Sequence, residues 1–303
     1  MSAATDSLAP TWPAAAGLRW PRSHGWSVPA AALVACLSLP AWAQDQPVDA
    51  PAQKTAPGLP LGEPGAVLPQ RSLEIGLGAQ NLSNGFGNWR ELRIKGSYEM
   101  GAHLLQGEVH AKRQFGQSGQ FYGVSDTVTL APDWFAIVSL GAGDGAFYLP
   151  RVRADGFLYK KWLPTQSLLT SVGLSYYQAP DGHIDRALSL GGAYYFEAPW
   201  IAEAGVRFNR SNPGDIATHQ QFVALSWGRV KQDIVTVRYG AGGEGYQAIA
   251  LNTTLINFQS HQATLAWRHW TDARSGWVLG LEHYSNPFYE RKGLNLGVFH
   301  QFQ

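Results

Sequence analysis

The chain has 303 residues, 45% hydrophobic and only 15% charged, with 34 Gly, 12% aromatics, one Cys and two Met. So little charge beside so many aromatics excludes a disordered chain, and a formal net charge of +1 leaves no basic field to hold a nucleic-acid backbone. A slightly negative mean hydropathy excludes a polytopic helical membrane protein, and what remains is a β-rich chain.

The first element is a targeting segment. Arg19 and Arg22 precede an apolar run from Trp26 to Ala43 that ends Ala41-Trp42-Ala43, the layout of a secretory signal with small residues at the cleavage site. A competing reading, a lipoprotein box at Leu33-Val34-Ala35-Cys36, is less well placed because the apolar run continues past Cys36. Removing 1–43 leaves 21 basic and 21 acidic residues and no thiol, so disulfide, metal-thiolate and Cys-nucleophile chemistry are excluded from the exported chain. Residues 44–70 carry six prolines and no alternation, which predicts an extended periplasmic linker.

From Arg71 onward, polarity alternates in stretches separated by Gly, Pro, Asn or Asp. Strand 1, about 71–80, sets Leu73, Ile75, Leu77 and Ala79 against Glu74, Gly76, Gly78 and Gln80. Strand 2, about 88–98, sets Leu92, Ile94 and Tyr98 against Glu91, Arg93 and Lys95. Strand 3, about 103–115, sets Leu105, Val109 and Ala111 against Glu108, His110 and Lys112. A period of two means one apolar face per strand. The pattern repeats at 119–130, 134–144, 150–162, 167–178, 184–196, 200–210, 217–228, 232–242, 257–270, 276–286 and 292–302. The expected fold is all-β, a transmembrane antiparallel up-and-down β-barrel of about 14 strands, within 12–16, over residues 71–303.

Two features favour a lipid-facing barrel over a soluble sandwich. All seven prolines after residue 70 lie between or at the margins of the strands, as they must where every amide bonds a neighbour. Aromatics also cluster by depth if strand 1 rises from the periplasm. Trp134, Trp162, Trp200, Trp227, Trp267, Trp270 and Trp277 fall at the periplasmic end with Tyr98, Tyr159, Tyr194 and Tyr195, while Tyr122, Tyr176, Tyr177, Tyr239 and Tyr284 fall near the outer end with Trp89. Connections read as short, with 241–256 the longest loop.

Leu82-Ser83-Asn84-Gly85-Phe86-Gly87-Asn88-Trp89 and the ending Gly293 to Phe302 resemble the YaiO-type outer-membrane β-barrel family of Gram-negative bacteria. The resemblance implies an outer-membrane location and a role at the cell surface; related barrels are associated with exopolysaccharide secretion. The last strand, with Leu294, Leu296, Val298 and Phe302 on one face, also looks like a signal for the outer-membrane assembly machinery, although His300 and Gln303 depart from its usual form. Outer-membrane lipid and lipopolysaccharide, that machinery and surface polysaccharide are the partners implied, with no nucleic acid, metal or cofactor.

The residues expected to line the lumen are Glu91, Arg93, Lys95, Glu108, Lys112, Arg151, Arg153, Asp155, Glu203, Arg207, Arg238, Arg268 and Glu282, joined by Glu74 and His110. Such a lining suits hydrated polar solutes or sugar polymers, with Tyr159, Tyr177 and Tyr195 as stacking surfaces. The alternative is that the charges pair across the lumen and satisfy one another. A separate alternative is enzymatic. His283-Tyr284-Ser285-Asn286 resembles the signature of outer-membrane lipid A 3-O-deacylases, and parity puts His283 and Ser285 together on the lipid side as base and nucleophile. Those enzymes are smaller barrels, and no orienting acid matches at the right spacing.

Overall fold

The computed structural model describes residues 71–197 and 199–302; the expected leader, 1–43, and linker, 44–70, lie outside the described residues. Fourteen strands follow in order: β1 Arg71–Leu82, β2 Asn88–Met100, β3 His103–Gln114, β4 Gln117–Ala131, β5 Trp134–Gly143, β6 Val152–Trp162 and β7 Leu168–Gln178. Then come β8 Ile184–Tyr195, β9 Trp200–Asn212, β10 Ile216–Gly228, β11 Asp233–Ala250, β12 Thr253–Trp270, β13 Ser275–Ser285 and β14 Glu290–Phe302.

Each strand pairs antiparallel with its sequence neighbours, and β1 closes on β14 from Arg71↔Phe302 to Leu82↔Arg291. Through the part of the wall where all fourteen strands pair, closure leaves no edge, which is the condition for crossing hydrocarbon with strands, while the upper halves of β11 and β12 extend beyond it and pair only with each other. We call the end holding Arg71 and Phe302 the lower end and the opposite end the upper.

Which face points out follows from the alternation. Leu77, Val124, Leu174, Val223 and Val298 are each more than half exposed on the outer wall, while their sequence neighbours turn into the barrel. An apolar surface that is continuous around a closed barrel is stable only against lipid. Trp162, Trp200 and Trp227 face outward at the lower end, and Trp267 and Trp277 pack edge to face beside them. Trp270 departs from the expected belt: it turns inward, 5% exposed, and packs on Phe299. Tyr159, Tyr177 and Tyr195 face inward, the side expected for stacking surfaces, and Tyr284 and, at the upper end, Trp89 turn inward as well; depth alone does not fix the face, whereas parity does.

One connection differs more sharply from the sequence reading. The segment 241–256 is not a loop: β11 and β12 run 18 residues each and meet at Leu251-Asn252. Gly240, Gly242, Gly243 and Gly245 carry no side chain to alternate, so the period of two is invisible there. Gly245 is required by packing, since a Cβ at that position would overlap the buried Ser211 hydroxyl on β9.

Candidate functional site: the barrel lumen

Inward positions supply three interior layers. At the lower end, Phe135, Phe157, Tyr159, Leu169 and Ala193 form one apolar cluster and Ile234, Ala266, Trp270, Val278 and Phe299 another. Phe135 and Tyr159 stack at 4.5 Å between ring centres.

Above these lies a band of charge. Arg268 donates to Glu74 at 2.8 Å, and Arg93 approaches the other oxygen of the same carboxylate at 3.5 Å. The Arg268 guanidinium also lies 3.8 Å from the Phe299 ring centre, joining the charge band to the apolar floor. On β2 and β3, His110 sits fully buried between Glu91 and Glu108, with Lys112 3.9 Å from Glu91. Cross-strand register makes this group: Glu91 faces Lys112, and Lys95 faces both Glu74 and Glu108. Across the lumen, Arg153 Nε donates to Asp155 at 2.7 Å and Arg207 to Ser175 at 3.2 Å. Arg238 lies over Phe222 at 3.6 Å, and Glu203 is buried nearby on β9. Glu282 accepts from Arg291 Nε at 3.1 Å, with both side chains almost fully buried.

Of the fifteen expected lining residues, fourteen stand on inward positions of the strands, and most meet a partner of opposite sign or an aromatic face. Arg151 does not belong to this band; it precedes β6 and is exposed at the upper rim. Two inward groups escape the sequence reading. Arg291 stands one residue before the expected start of the last strand, and counting back from Leu294 and Leu296 by parity would have found it. Glu244 lies in the glycine-rich stretch that hides its alternation; Tyr284 donates to it at 2.9 Å.

The upper mouth is narrowed by two elements. The β5–β6 connection, 144–151, folds inward so that Ala146, Tyr148 and Leu149 bury against Phe121. Gly119 and Gly143 make room for it, since a Cβ on either would overlap Ala146 or Leu149. Asp144 and Tyr148 pin the loop: Asp144 accepts from the amides of Gln120 and Ala146, and Tyr148 donates to the Lys112 carbonyl at 3.0 Å. The upper part of the β11–β12 hairpin leans over from the other side. Its Leu255 and Phe258 pack with Leu82, Trp89, Tyr284 and Tyr289, while Gln247 bonds the Tyr289 hydroxyl. Between the two elements remains a cavity of about 100 Å³ lined by Trp89, Phe147, Tyr177, Tyr246, Lys112, Asp181 and Asp185.

A comparison with protein families matches residues 70–247 to the YaiO membrane beta barrel domain. The chain belongs to this family. Among curated proteins nothing matches. Solved structures similar in fold include an anion-selective porin from Comamonas acidovorans, at 12% identity and a TM-score of 0.45, covering 77% of this chain and 98% of that one. A bacterial polysaccharide outer membrane secretin aligns at 12% identity and 0.47, over 77% and 98%. An outer membrane channel from Pseudomonas putida F1 aligns at 7% identity and 0.49, over 81% and 100%. The protein is a YaiO-family barrel of the Gram-negative outer membrane.

On this YaiO-family barrel, His283 and Ser285 share the outward face of β13 near the upper end, next to the inward Tyr284. No hydrogen bond joins the two among the described residues. Across the wall, Ser285 faces His261 and Glu290, and His261 is held by the Tyr239 hydroxyl at 2.9 Å. Parity is as the sequence predicts; the arrangement of a base bonded to its nucleophile is not formed.

Proposed function

We propose that this barrel is a conduit for hydrated polar solutes, with saccharide chains as the favoured class, whose upper mouth is governed by the inward 144–151 loop and the β11–β12 hairpin. The observation that carries this reading is the charge band of both signs at mid-height. A scaffold buried in lipid needs no such lining, because removing both partners of an ion pair for apolar groups of like volume is neutral or stabilising. The band sets polar groups of both signs along the inner wall, and the aromatic cavity above it suits the flat faces of sugar rings, with Asp181, Asp185 and Lys112 able to bond hydroxyls.

Single-channel recording of the refolded protein in planar bilayers tests the reading, with and without added polysaccharide. Replacing 145–149 by a short Gly-Ser link is expected to raise conductance several-fold, on the order of the change in open area, and added polysaccharide to produce blocking events. A loop-replaced barrel that passes no current would contradict the proposal.

A further inference from the structure

We propose that the outer wall over β6–β10 carries a binding site for a phosphorylated glycolipid of the outer leaflet, with Arg186 and Arg210 as the phosphate clamp. The placement is a matter of register. Arg186 on β8 stands directly opposite Arg210 on β9, and Tyr176 on β7 flanks Arg186 in the same row. All three face outward, since they share parity with the exposed Leu188, Leu174 and Phe208.

Two like charges directly across a strand pair repel and destabilise the sheet. Arg210 is partly compensated by Asp215 at 3.3 Å, but this pair is about two-thirds exposed. Arg186 makes no ion pair among the described residues. Such a doublet on a membrane-facing wall invites an anion, and a phosphate accepts from two guanidinium forks at once.

The next row toward the lower end has the complementary chemistry. Leu174, Leu188 and Phe208 follow one another across β7, β8 and β9, and Gly156 on β6 is small. Large side chains around small ones leave a concavity of about 900 Å³ on the wall, bounded above by Tyr176, Arg186 and Arg210. Below it the outer face stays aliphatic through Leu158, Val172, Leu190 and Val206. A cationic pair above an apolar hollow fits an amphiphile with its phosphate at the interface and its acyl chains down the wall. A free phosphate ion would use only the upper half.

The motif recurs. Arg90 on β2 stands opposite Arg113 on β3, both outward near the upper end and both without an ion pair among the described residues. At the lower end, Asp133 pairs with Lys160 and Asp126 lies 2.6 Å from His103, while the outward Arg71 lies against the Tyr98 ring.

The test is native mass spectrometry of the full-length protein in detergent, titrated with bisphosphorylated lipid A, dephosphorylated lipid A and inorganic phosphate. Lipid A is expected to give adducts that inorganic phosphate does not displace, and the Arg186→Gln/Arg210→Gln double variant to weaken them by about tenfold, as loss of charge-assisted bonds requires. Both positions are exposed, and the heat-dependent gel shift of a folded barrel verifies each variant. Arg186→Gln alone, which retains the Arg210–Asp215 pair, serves if the double variant does not fold and is expected to weaken binding by about threefold. Undiminished adducts in the folded variants, equal binding of dephosphorylated lipid A, or displacement by inorganic phosphate would each overturn the proposal.

Discussion

Glu74 shows how a single residue organises the interior. Its two oxygens meet Arg268 and Arg93 from strands far apart in sequence, and all three side chains are nearly excluded from solvent. Removing one partner of a buried pair leaves an uncompensated charge, so Arg268→Leu is expected to destabilise the barrel by about 3 kcal/mol in urea titrations of the detergent-refolded protein. A loss below about 0.5 kcal/mol would place that pair in water, at the level of a surface ion pair. On the outer wall, Ser285→Ala is expected to leave lipid A acylation unchanged by mass spectrometry, because Ser285 and His283 share a face without a hydrogen bond between them. These residues were legible in unequal measure. Parity from Leu92 and Ile94 is enough to turn Glu91, Arg93 and Lys95 inward, but nothing in one strand says which distant strand brings the opposite charge.

Elements follow the same division. Strands such as β2 and β3 show in the sequence because each alternate residue is either aliphatic or charged. The upper half of β11 does not, because its glycines serve close approach to β9 and β10, a requirement imposed by tertiary packing. The 144–151 connection reads as an ordinary loop, and its inward course depends on the empty Cβ positions of Gly119 and Gly143 on the flanking strands. Gly119→Val is therefore expected to push the loop out of the lumen while the wall still forms. Protease cleavage within 144–151 in the folded protein should rise, and conductance should rise with it. Unchanged cleavage would mean that the loop is not held by that contact.

At the scale of the molecule, the fold was the most legible part, since closure, strand number and the lipid-facing side all rest on one repeating pattern. The chemistry of the lumen was less so: the lining could be named, but its narrowing by a loop and a hairpin could not, since both depend on contacts between residues remote in sequence. Everything proposed about passage and lipid binding requires that the wall separate hydrocarbon from a polar interior residue by residue. The most direct measurement is quenching by brominated acyl chains of a fluorophore on single cysteines at Val223, Ala224, Leu225 and Ser226 of β10, in a Cys36→Ser background. Strong quenching is expected at 223 and 225 and little at 224 and 226, matching their outward and inward faces. Equal quenching at all four positions, or none, would contradict this assignment.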